Sequence, residues 1–138
     1  VNRVTSEPAS HRDCAEFAAR ACPFLTKPRM RRNTKDLPDQ RGTVGMPIDR
    51  NPGCVCLYET QSAQPFKAGD GYLFRLGDPT RVDWFAEGRE ATREEVLASI
   101  DGGYPILLDT ATRYDGPDGV AELARLRDVA MQYLPAAA

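Results

Sequence analysis

"CVCLYETQSAQPFKAGDGYLFRLGDPTRVDWFAE", residues 54–87, decides the fold. Three runs within it, 54–60, 71–76 and 81–87, are rich in aromatic and β-branched residues, the composition of a pleated, half-buried surface. "KAGDG" and "GDPT" between them supply turn chemistry. The economical arrangement is a three-stranded antiparallel meander. In the last run Val82, Trp84 and Ala86 share one face, and Arg81, Asp83, Phe85 and Glu87 share the other. Such alternation suits a sheet covered on one face and partly wet on the other. Trp84 is expected to be buried against the C-terminal helix.

Helical signals flank this region. Upstream, Ser10 offers an N-cap with Asp13 three residues later, and Cys14, Phe17, Ala18, Ala21 and Cys22 fall on one helical stripe. Pro23 ends that helix near Ala21 or Cys22. Downstream, Thr92 with Glu95 forms a capping box, Val96, Leu97 and Ile100 give an apolar face, and Gly102-Gly103 stop the helix. A further helix is expected to start at Pro105 within 104–114. Beyond the Asp115-Gly116-Pro117 break, Val120, Leu123, Leu126, Ala130 and Leu134 continue at helical spacing. The expected fold is therefore α+β: a small meander packed with an N-terminal helix and two or three C-terminal helices, in a single domain spanning 1–138.

Residues 26–53 read as a long loop, because Pro28, Pro38, Pro47 and Pro52 punctuate a polar stretch without a sustained period. It contains "KPRMRRNTK", 27–35, in which Lys27, Arg29, Arg31, Arg32 and Lys35 are basic. Arg29, Arg31, Arg32 and Lys35 are the candidate contacts to a nucleic acid or another partner. Nucleic acid is not favoured, since 18 basic against 20 acidic residues leave a net charge of −2 and no aromatic is interleaved for stacking. No apolar run reaches the roughly 20 residues a membrane helix needs. The N-terminus lacks a signal-peptide core, so a cytoplasmic location with reduced thiols is expected. The chain begins at Val1 rather than Met, so either its start was processed or it is the later part of a longer polypeptide.

The only histidine and two of the four cysteines lie in "SHRDCAEFAARACPFL", 10–25. His11 and Cys14 are three apart on a helix and could grip one ion. Cys22 lies about 12 Å further along the axis of a straight helix, whereas two zinc-bound sulfurs must sit within about 4 Å of each other. The competing reading is sulfur in a buried stripe, since free cysteine behaves as a small apolar side chain. Cys54 and Cys56 read as structural strand residues. A Cys–His nucleophile pair built from His11 with Cys14 or Cys22 is a formal alternative, but there is no Gly-x-Ser-x-Gly, phosphate-binding glycine loop or His-Glu-x-x-His.

"SEPASHRDCAEFAARACPFL" (6–25), preceded by Val-Asn-Arg, together with "GREATREEV" (88–96) and "AMQYLP" (130–135), resembles an uncharacterised family of bacterial and phage proteins. The resemblance covers nearly the whole chain. Its longer members carry a Cys-x2-Cys pair and another cysteine just upstream. That segment is not part of this sequence. The resemblance implies that upstream thiols with His11, Cys14 and Cys22 form a treble-clef or ribbon-like zinc arrangement. It also implies that Cys54 and Cys56 stand at ordinary strand positions.

The functional expectation is a non-enzymatic, zinc-stabilised binding module for a protein or small molecule, with His11, Cys14 and Cys22 as zinc ligands. Two alternatives stand beside it: a small enzyme using a Cys–His pair or an open metal position, and a metal-free interaction domain.

Overall fold

The computed structural model describes residues 3–30, 51 and 53–137. In chain order the elements are β1 (Val4–Thr5), α1 (Arg12–Ala21), α2 (Pro23–Thr26), β2 (Val55–Thr60), β3 (Ala63–Ala68), β4 (Gly71–Leu76), β5 (Pro79–Ala86), β6 (Arg89–Glu90), α3 (Arg93–Tyr114) and α4 (Gly116–Ala130). A 3-10 turn, Met131–Tyr133, follows α4. Helices and antiparallel strands together make an α+β fold.

The strands form two three-stranded sheets rather than one meander, in the orders β1-β4-β3 and β2-β5-β6. All three expected strands exist, but the first pairs with the third. Val55 lies opposite Phe85, Leu57 opposite Asp83 and Tyr58 opposite Val82. The second expected strand, β4, pairs instead with β3, which the meander had left inside a turn. Turn chemistry explains the difference. Ala68 and Gly71 are paired around a two-residue Gly-Asp loop, with Gly69 at φ 58°, the glycine-first loop that matches the twist of a tight hairpin. The β3–β4 hairpin is thus a nested insertion between β2 and β5.

The β2–β5 pair is covered on both faces. On one, Cys54, Trp84 and Ala86 pack with Ala91, Val96 and Ile100 from the β6–α3 region and with Met131 and Leu134 beyond α4. Val96 is fully buried. On the other, Leu57 and Phe85 pack against Ala19 of α1, with Ala15 and Val55 at the margin. Trp84 is half-buried on the face that the alternation assigned to it, and its Nε1 donates to the carbonyl of Tyr133 at 2.7 Å.

The helices depart from expectation in three places. His11, not Ser10, is the N-cap of α1, and it makes no side-chain capping bond. The stripe α1 buries is Ala15, Ala18, Ala19 and Cys22 rather than Cys14, Phe17 and Ala21: Phe17 is 73% exposed, and Cys14 is exposed too. Small residues let α1 sit close on a sheet face already filled by Leu57 and Phe85. Finally, α3 runs unbroken through Gly102-Gly103 with Pro105 inside it. Proline there removes one backbone bond to Asp101. Arg127 of α4 braces that turn, donating from Nη2 to Asp101 at 2.9 Å with its guanidinium 4.7 Å above the Tyr104 ring. The Thr92–Glu95 capping box is formed as expected, with both reciprocal bonds present.

Candidate functional site: a cleft along strand β2

An open cleft of about 1020 Å³ runs along β2 and is lined from both sheets. The whole of β2 lines it, and β2 is an edge strand among the described residues. Val4 and Phe74 of the first sheet form one wall. Arg12, Ala15 and Ala18 of α1 form a second. On the other face of the β2–β5 pair from α1, Trp84 lines it with Leu126, Ala130 and Tyr133 from α4 and the turn beyond it, so the cleft wraps the edge of β2. The lining mixes apolar and aromatic side chains with polar ones, among them the charged Arg3, Glu7, Arg12 and Glu59.

Among the polar groups of the lining, Tyr58, Cys56 and an ion cluster around Arg12 are the best defined. Tyr58, on the β2 face shared with Cys56, donates its hydroxyl to the carbonyl of Gly77 at 2.6 Å, and burial raises its pKa. Cys56 opens into the cleft, yet the walls crowd its thiol enough that burial, reinforced by the Asp83 carboxylate, pushes its pKa up to about 11. Such a thiol stays protonated at neutral pH. It is a weak nucleophile, since that role needs the thiolate.

The third group is an ion cluster at the α1 rim. Arg12 donates from Nη1 to Glu59 on β2 and from Nη2 to Asp83 on β5, the latter at 2.8 Å. Arg81 also donates to Asp83 at 2.8 Å. Hydrogen bonding from Arg12 holds the Asp83 carboxyl below its usual range. The strand alternation assigns Asp83 and Glu87 to one face of the run. Asp83 has two arginine partners, whereas Glu87 sits in the β5–β6 turn at φ 51°. The signal for the cluster was the shared strand face of Glu59 and Asp83; what sequence could not show was that Arg12 faces it.

His11 and Cys14 lie together at the start of α1, both exposed, and Cys22 is at the far end of the helix, half-buried. Among the described residues no group of three or more His, Cys, Asp or Glu side chains is placed to hold a metal ion. Cys54 is buried beside Val96 and Ile100, and its pKa is raised by burial. Of the basic run, Arg29 is exposed, while Arg31, Arg32 and Lys35 lie outside the described residues. No described helix is long and apolar enough to cross a membrane.

One further residue escaped sequence reading. Asn51 is only 6% exposed, and its amide nitrogen donates to the carbonyls of Phe24 and Lys27 while its oxygen accepts from Gly53 N–H at 2.7 Å. It ties the chain entering β2 to the end of α2. An asparagine amid prolines in a polar stretch carries no local mark of this role.

No family model, no curated protein and no solved structure matches this chain.

Proposed function

We propose that this chain is a non-enzymatic binding module that takes an apolar or aromatic group of a small molecule or protein partner into the cleft along β2. The observation that carries the reading is the cavity itself, about 1020 Å³ walled by Trp84, Phe74, Leu126 and Tyr133. A thiol held protonated near pKa 11 and a phenol bonded to a carbonyl make poor general acids, bases or nucleophiles at neutral pH. They serve better as lining that excludes water. The apolar wall would supply the driving force and the Arg12 cluster a polar rim.

Zinc belongs to this reading as a property of the α1 surface. His11 and Cys14 would supply two ligands next to the cleft wall formed by Arg12 and Ala15, and further ligands would have to come from elsewhere.

The only tryptophan in the chain lines the cleft and serves as the reporter. Titration with 1-anilinonaphthalene-8-sulfonate should quench Trp84 emission by energy transfer in a saturable way, with native near-ultraviolet dichroism retained. Apolar aromatic competitors should reverse the quench. Linear, unsaturable quenching would sink the proposal.

A further inference from the structure

The two ends of α1 are held to the sheet by different forces, and only one end borders the cleft. At its C-terminal end the packing is close. Ala19 is 1% exposed between Leu57 and Phe85, and the Arg20 guanidinium lies 4.7 Å above the Phe85 ring. A Cβ at Gly88 would come within 2.7 Å of the Arg20 carbonyl, so the β5–β6 turn is seated directly against the helix end. Gly88 also has φ 81°, a conformation other residues adopt only with strain.

Toward the N-terminal end, among the described residues, only Ala15 at the margin of the Leu57–Phe85 cluster packs on the sheet. The helix cap there makes no side-chain bond, leaving backbone N–H groups of the first turn without that support. His11, Asp13, Cys14 and Phe17 are all exposed, and the preceding residues 6–10 are exposed and carry no helix or strand. Beyond Ala15, the described tie that holds this end is Arg12, reaching across to Glu59 and Asp83 on two neighbouring strands. Arg12, Ala15 and Ala18 are the α1 residues that line the cleft.

We propose that the N-terminal half of α1 is a lid on the side of the cleft formed by Val55, Leu57 and Glu59, anchored at Ala19–Arg20 and latched by Arg12 on Glu59 and Asp83. Release of the latch lets the first turns of α1, with residues 6–11, lift from the rim and admit a ligand beside β2. The charges facing Arg12 are Glu59 from β2 and Asp83 from β5, with Arg81 competing for Asp83 from the same strand. When the latch opens Arg81 stays on Asp83, and the Glu59 carboxylate, 39% exposed, passes to water. The half-exposed pairs are partly screened by salt, so the opening responds to ionic strength. This lid rests on the cleft reading above, but its motion can be measured without a ligand.

Hydrogen exchange of the whole chain gives the test. Arg12→Gln should raise exchange at the amides of Ala15 to Ala18 by roughly tenfold or more, while amides of Val96 to Ile100 in α3 keep their rates. Unmodified protein should show the same local increase between low salt and about 0.5 M sodium chloride, a comparison that does not depend on the variant folding. Stopped-flow mixing with 1-anilinonaphthalene-8-sulfonate should then show faster association for Arg12→Gln. Unchanged exchange in α1, or equal acceleration in α1 and α3, overturns the lid. Local unlatching without faster probe entry overturns it as well. If α1 unlatches as described but the probe never binds either form, the latch stands and the cleft reading is what fails.

Discussion

The indole of Trp84 donates to the backbone carbonyl of Tyr133 at 2.7 Å, so one side chain on β5 fixes where the chain turns after α4. The bond joins two residues of the cleft lining. Trp84→Phe keeps most of the apolar contact and removes only the donor, and should cost about 1 kcal/mol. Trp84→Ala also opens a hole beside Met131 and Leu134, and should cost about 2–4 kcal/mol, below the fully buried limit because Trp84 is half-buried. Urea unfolding followed by far-ultraviolet dichroism checks both. Equal losses would mean that packing contributes little and the hydrogen bond nearly everything.

Asn51 fastens the entry to β2. Asn51→Ala should destabilise by about 1–3 kcal/mol, since it strips partners from the Phe24 and Lys27 carbonyls and from Gly53 N–H. Asn51→Asp should be no better, because a carboxylate can accept from Gly53 but cannot donate to either carbonyl. A midpoint for Asn51→Asp equal to that of the unmodified protein would contradict the assigned bonds.

The capping box of α3 predicts an acid limb. Hydrogen bonds from Arg89 and the Thr92 backbone hold Glu95 near pKa 2, lowered from about 4.5. A carboxyl lowered on folding adds stability that is fully present above its unfolded pKa and is lost as pH falls through the folded value. The Glu95 contribution should therefore be complete above about pH 5 and fade between pH 4.5 and 2. Glu95→Gln should flatten that part of the stability curve measured by denaturant titration. A variant curve parallel to the unmodified one over this window would count against the shift.

Zinc is decided by stoichiometry. With His11 and Cys14 at one end of α1 and Cys22 about 12 Å away along the axis, this chain alone should hold less than one equivalent. Element-resolved analysis after purification without chelator measures it. Cys14→Ser should change stability by less than about 0.5 kcal/mol, because the side chain is exposed. One full equivalent, lost when Cys54 or Cys56 is replaced, would mean that strand thiols are the ligands.

How far the sequence could be read depended on how local each signal was. The β5 alternation put Trp84 with Val82 and Ala86 on the correct face, and Thr92 with Glu95 marked the start of α3, because both patterns complete themselves within a few residues. Strand β3 was missed because Pro65 interrupts its run. Proline has no donor for a ladder and argues against a central strand, but β3 is an edge strand, where it is tolerated. The continuity of α3 was hidden by Gly102-Gly103 and Pro105, and the brace on that turn, Arg127, comes from a different helix. On α1, two overlapping stripes competed, and the larger side chains of Cys14 and Phe17 drew the assignment away from the alanines that face the sheet. The cleft left no trace in any one window, since its walls come from segments as distant as Val4 and Tyr133.

The central claim is that the cavity along β2 is where this protein binds. Its most direct test is calorimetric titration of an aromatic probe, 1-anilinonaphthalene-8-sulfonate, into the unmodified chain and into Ala130→Phe, which fills the cavity from α4. The account predicts saturable binding to the unmodified chain and at least a roughly tenfold loss of affinity in Ala130→Phe, with native dichroism and little change in unfolding midpoint. Equal affinity in a folded Ala130→Phe protein would place the binding surface elsewhere and contradict the account.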